Sequence, residues 1–132
     1  MGPVGRARAH GPCQKGSVMN VTAAKPHIKL GYVPTRRSIF SAPDAIKFRG
    51  LTADRLRELG VDFVDIDDIN EEGLLFDDSH IQPIVDKFRA AGVDGIMLCH
   101  ANFGTEYLCA RLAREMGLPV LLWGPRDERP EP

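Results

Sequence analysis

Three times this chain repeats one phrase: an amphipathic helix, a glycine, and a short apolar strand. The copies are LRELGVDFVDI (Leu56–Ile66), FRAAGVDGIMLC (Phe88–Cys99) and LAREMGLPVLLW (Leu112–Trp123). In each, Gly60, Gly92 or Gly117 stands where a helix needs a left-handed residue to stop. Each following strand is apolar almost throughout, as a parallel strand covered on both faces must be. With HIKLGYV (His27–Val33) in front, the expected order is β-α-β-α-β-α-β. Ligands on such sheets bind beyond the carboxyl ends of the strands, so the loops leaving those ends are where function is to be sought.

Right-handed crossovers restrict how these strands are wound. The expectation is an α/β fold with a parallel four-stranded sheet of the Rossmann or flavodoxin-like type, order 2-1-3-4. The first helix then lies on one face, the second and third on the other. A full doubly wound pattern would place a further helix over the bare side of strands three and four. The sequence ends first, at Glu131-Pro132, so an incomplete three-layer sandwich is expected. An uncovered apolar sheet face marks an interface, which implies a partner or a longer protein from which this chain is cut.

Composition narrows the class. A length of 132 residues with 43% hydrophobic content suits one packed domain. The net charge of -1, with both signs interspersed, argues against nucleic-acid and anionic-membrane partners. No apolar run approaches the roughly 20 residues that a bilayer span needs. The three cysteines, Cys13, Cys99 and Cys109, form no CxxC pair; they fit a reducing, cytoplasmic setting in which free thiols pack as small core residues. Residues 1–18, dense in Gly and Pro and without periodicity, read as a disordered or spurious extension. The domain is therefore placed at residues 19–132.

The first strand, Ile28–Val33, runs into Pro34-Thr35-Arg36-Arg37-Ser38. The segment from Ser41 to Gly60 reads as helix, with Ser41 as N-cap and Pro43 in the first turn; Gly50 and Thr52 suggest a kink or two short helices. The second strand spans Val61–Ile66, and the acidic stretch Asp65–Asp78 follows. Its spacing does not meet the calcium-loop template, since Ile69 and Asn70 stand fifth and sixth from Asp65. It reads instead as a solvated loop capping a helix over Ser79–Ala91, whose Ile81, Ile84, Val85 and Phe88 form one apolar stripe. The third strand, Gly95–Cys99, opens into His100-Ala101-Asn102-Phe103; a helix begins near Gly104, and the last strand is Val120–Trp123.

In a 2-1-3-4 sheet, strands one and three are neighbours whose crossovers leave in opposite directions. Their exit loops, Pro34–Ser38 and His100–Thr105, flank the crevice. Arg36 and Arg37 suit bidentate contacts to carboxylates or paired hydroxyls. His100, Asn102, Phe103 and Thr105 bring an imidazole, an amide, a ring, a hydroxyl and the free N–H groups of a helix start. Such a set suits a polyol, a sugar or a small anion. The competing structural reading is that the arginines pair with surface carboxylates and that Asn102 caps the third helix. There is no GxGxxG, GxxxxGK[ST] or GxSxG motif and no HxH or HxxxH spacing, which argues against dinucleotide, triphosphate, nucleophile-elbow and zinc chemistry.

Taken together, KLGYVPTRRSIFSAPDAIKF, LTADRLRELGVDFVDIDDINEEG, VDGIMLCHANFGTEYLCARLARE and PVLLWGPRDERPEP resemble the N-terminal domain of the L-fucose/L-arabinose isomerase family. The resemblance runs from about His27 to the last residue. It implies a cytoplasmic, homo-oligomeric aldose–ketose isomerase that uses Mn²⁺ and proton transfer through an enediol. The metal ligands and acid–base groups belong to a later domain, so this chain is expected to hold no cofactor and to be inactive alone. By the same resemblance, Arg36 or Arg37 corresponds to the arginine pair after the first strand, and Ala101–Glu106 to the substrate loop after the third. Some fucose isomerases carry tryptophan in that loop, where this chain has Ala101-Asn102-Phe103. The alternative is a free-standing sugar- or polyol-binding module.

Overall fold

Every helix stops at the glycine that follows it. In the computed structural model, which describes residues 24–126, Gly92 and Gly117 are left-handed C-caps with φ of 65° and 63°. Gly60, at φ 70°, follows the last helical turn before it. The extension expected over residues 1–18 lies outside the described residues.

The elements are β1 (Lys29–Thr35), α1 (Ala42–Glu58), β2 (Asp62–Val64), a 3₁₀ turn (Asp78–His80), α2 (Ile81–Ala91), β3 (Gly95–His100), α3 (Glu106–Met116) and β4 (Val120–Trp123). They form one parallel sheet in the expected order, β2-β1-β3-β4. β1 runs beside β3 from Leu30↔Gly95 to Thr35↔His100, and β3 beside β4 from Ile96↔Val120 to Cys99↔Trp123.

Side chains alternate across the sheet, and the two faces bury different sets. On one face Val33, Ile96 and Leu98 meet Ile84, Val85 and Phe88 of α2 and Leu108 and Leu112 of α3. The other face sets Tyr32, Met97 and Cys99 against Ala53 and Leu56 of α1. Gly31 is required where α2 crosses β1, because an added Cβ would overlap the Phe88 ring. Burial raises the pKa of the Cys99 and Cys109 thiols, which keeps both neutral and consistent with packing roles. The same cause raises that of Tyr32, whose hydroxyl donates to the Arg49 carbonyl at 3.0 Å.

Four details differ from expectation. α1 runs unbroken through Gly50; the packing of Ala45, Ala53 and Leu56 outweighs the roughly 1 kcal/mol that a mid-helix glycine costs. Thr52 does not start a second helix, and its hydroxyl lies 3.8 Å from the Cys99 sulfur. The acidic stretch is more than a solvated loop. β2 ends at Val64, which would leave the last part of β1 unpaired on that side. Leu75 fills the gap: its N–H donates to the Pro34 carbonyl at 2.8 Å, and the Arg36 N–H donates to the Leu75 carbonyl at 3.2 Å. Leu74 and Leu75 are fully buried, so an apolar pair within an acidic run anchors it. Lastly, the bare region is β4 itself. Met97 and Cys99 are covered, whereas Val120, Leu121, Leu122 and Trp123 are all exposed. Among the described residues, no helix is long and apolar enough to cross a membrane.

Candidate functional site

The carboxyl ends of β1 and β3 are tied together by side chains of the β3–α3 loop. Asn102 reaches across the crevice: its Oδ1 accepts the Arg37 N–H at 2.7 Å, and its Nδ2 donates to the Ser41 carbonyl at 3.1 Å. The Thr105 hydroxyl donates to the Arg36 carbonyl at 3.0 Å. Asn102 is therefore a cross-loop staple rather than a helix cap, and Thr105, the N-cap residue of α3, makes no side-chain cap bond. Gly104, at φ +61°, is the one residue type that fits between the staples. A Cβ there would come within 2.7 Å of the Thr35 hydroxyl and 2.9 Å of the His100 ring.

Arg36 turns away from the crevice. Its guanidinium grips Glu72 through two hydrogen bonds, Nε–Oε2 at 2.5 Å and Nη2–Oε1 at 3.0 Å. It also lies 3.9 Å from the centre of the Phe76 ring, and only 11% of its side chain is exposed. A paired, stacked guanidinium of this kind is a structural clamp, and it fastens the acidic loop to the end of β1. Next to it, Arg49 donates to the Glu72 carbonyl at 2.7 Å and pairs with Asp67 at 3.1 Å. Arg37 is exposed.

On the other side of the staples an open cleft of ≈ 670 Å³ lies between the start of α1, the β3–α3 loop and the chain leaving β4 at Gly124 and Pro125. Of the residues singled out in the sequence, His100, Asn102 and Phe103 line it, and Arg36, Arg37 and Thr105 do not. The wall most open to solvent is aromatic: Phe40 and Phe103 stack with ring centres 4.7 Å apart and planes 22° from parallel. Exposures of 39% and 70% are high for rings of this size, since exposed phenylalanines bury little of the area that ordinarily stabilises them. The charged lining comes from Asp44 and Lys47 of α1, which the sequence did not single out, and from Glu106 of α3, the last residue of the loop Ala101–Glu106. Ser41, whose hydroxyl accepts the Asp44 N–H at 3.3 Å, fixes the turn that presents the first two. His100 is half-buried, with Nε2 3.7 Å from the Cys109 sulfur.

Among the described residues, no three His, Cys, Asp or Glu side chains come together so as to hold a metal ion. The donors present do not fit a Mn²⁺ site. The arrangement can instead hold a molecule with one apolar face against the rings and hydroxyls within reach of Asp44, Lys47 and Glu106.

Residues 31–132 match a known family, the fucose/sulfoquinovose isomerases, over the N-terminal domain. The match begins inside β1 and takes in every later element. Comparison with curated proteins and with solved structures gave no match.

Proposed function

This chain belongs to the fucose/sulfoquinovose isomerase family as an N-terminal domain, and from that we propose that its cleft supplies substrate contacts for an aldose–ketose isomerisation. The chain itself binds and orients the sugar. In the proposed assembly, a cytoplasmic homo-oligomer, Mn²⁺ and the acid–base groups of the enediol chemistry come from outside this chain. The exposed strip Val120–Trp123 is covered by the remainder of that assembly. On this reading the isolated chain converts no aldose to ketose.

The observation that carries the proposal is the cleft at the switch point of the sheet, with a stacked Phe40–Phe103 wall facing a polar wall. Pockets at this edge of an α/β sheet take small molecules on apolar walls with a few placed polar groups. A sugar ring offers the matching pair of surfaces, C–H bonds on one side and hydroxyls on the other. Phe103 is the main contact, because it is the more exposed ring and sits on the loop that Asn102 and Thr105 hold in place.

Saturation-transfer NMR on the purified chain with L-fucose tests this. The expected result is transfer to the sugar's C–H protons that is lost in Phe103→Ala. Absence of transfer in the wild type at tens of millimolar sugar, roughly the weakest affinity range that such contacts give, would refute it.

A further inference from the structure

His100 brings an imidazole into the cleft lining, and most of its ring edge is already in contact with the protein. Nε2 lies 3.7 Å from the Cys109 sulfur. The Cγ–Cδ2 side packs on Gly104, where an added Cβ would come within 2.9 Å of Cδ2 and 3.0 Å of Cγ. What remains is the Cε1–Nδ1 side. Nδ1 makes no hydrogen bond among the described residues, and no buried side-chain nitrogen among them lacks a partner. Nδ1 is therefore open to solvent, where the residue lines the cleft.

The protons beneath the ring run in one direction. The Thr35 hydroxyl is fully buried and donates its single proton to the Cys99 carbonyl at 3.3 Å. Toward Cys109, with which it also hydrogen-bonds, its oxygen can only accept. Burial keeps the Cys109 thiol protonated, so the S–H is the donor to Thr35. The sulfur then has only lone pairs to offer His100, and it accepts from Nε2–H. A neutral imidazole carries one N–H, and the partner of one nitrogen fixes the state of the other. Nδ1 is left as a bare lone pair.

We infer that His100 is a ligand contact of the cleft, accepting a hydrogen bond from a ligand hydroxyl at Nδ1, and that Cys109 is the positioning residue that holds it in this tautomer. This rests on the sugar-binding reading above and adds a polar contact to its aromatic wall. His100 ends β3, and Phe103 lies three residues on, in the loop that Asn102 ties to Arg37. The ring takes the C–H face of the sugar while Nδ1 takes one of its hydroxyls.

Two-bond proton–nitrogen correlation spectra of the histidine-labelled chain test this, at a pH above the ordinary imidazole range. In the wild type His100 is expected to carry its proton on Nε2, and the Nδ1 resonance should move on titration with L-fucose, saturating together with transfer from Phe103. His100→Phe keeps a ring and lacks Nδ1; it should bind L-fucose about fivefold more weakly, the fold-change of one ordinary hydrogen bond. Cys109→Ala should bring in the second tautomer and weaken binding by about twofold, as the competent form falls to about half. Cys109→Ser, which can still donate and accept, should restore both. A proton on Nδ1 in the wild type, or an Nδ1 resonance that stays put while Phe103 reports bound sugar, would overturn this inference and leave the sugar-binding reading standing. An unchanged tautomer in Cys109→Ala would overturn the part given to Cys109. Failure of the wild type to bind L-fucose at all would overturn both readings.

Discussion

Arg36 and Phe103 leave the same edge of the sheet, one after β1 and one after β3, and end in opposite conditions. Arg36 is 11% exposed, with its guanidinium consumed by Glu72 and Phe76. Phe103 is 70% exposed, stacked on Phe40 and lining the cleft. A guanidinium at a strand end looks like a ligand-binding group, yet here it holds the acidic loop in place. The phenylalanine, the residue type that ought to be buried, is the one left available. Position at the binding edge of a sheet therefore does not settle a role; whether the chain already supplies a partner does.

The largest expected effect lies on the clamp side. Glu72→Ala leaves a nearly buried guanidinium without its carboxylate, which costs about 2–3 kcal/mol for a pair this far from water. Urea denaturation should show it as a lowered midpoint with unchanged slope. Sugar contact at Phe103 should persist in the folded protein, and its loss would mean that the two sides are not separable. Next comes the staple between them: Asn102→Ala removes two hydrogen bonds to backbone and should cost about 1–2 kcal/mol, while also weakening sugar binding, because the loop carrying Phe103 loses its anchor to Ser41. A variant with full binding and reduced stability would show that the staple does not shape the cleft.

Phe103→Ala reverses the pattern. It loses one ring stack, about 0.5–1 kcal/mol, yet should abolish sugar contact. The smallest effect concerns the end of the acidic loop. The Asp77 carboxylate accepts the Ser79 N–H and hydroxyl, and these bonds hold its pKa below the usual carboxylate value. With the folded pKa below the unfolded one, its contribution to stability is present above the unfolded value and is lost as pH falls through the folded value. Ser79→Ala should flatten that part of the pH–stability curve without moving sugar binding; a steeper acid dependence would contradict the assignment.

The fold was legible because its signals are local and repeated. Gly60, Gly92 and Gly117 mark three helix ends, the apolar strands call for cover on both faces, and crossover handedness leaves one economical order. The site was only half legible. His100, Asn102 and Phe103 could be placed because they follow a strand end directly. For Arg36 the sequence left two readings open, a ligand contact or a carboxylate pair, since its partner Glu72 lies 36 residues away in a loop whose path depends on the burial of Leu74 and Leu75. The apolar triplet Leu74-Leu75-Phe76 inside the acidic run was the available signal that this loop returns to the sheet. Asp44 and Glu106 were also within reach. With Ser41 as N-cap and a helix starting near Gly104, the first turns of both helices lie at this edge of the sheet. The bareness of β4 on both faces required knowing that α1 covers Met97 and Cys99 but extends no further.

Mapping backbone amide shifts during titration with L-fucose tests the central claim most directly. The account predicts shifts that saturate together at Phe40, Asp44, Asn102, Phe103 and Glu106, with Arg36, Glu72 and Leu75 unmoved. Shifts centred on Arg36 and Glu72, with the Phe40–Phe103 wall silent, would contradict it.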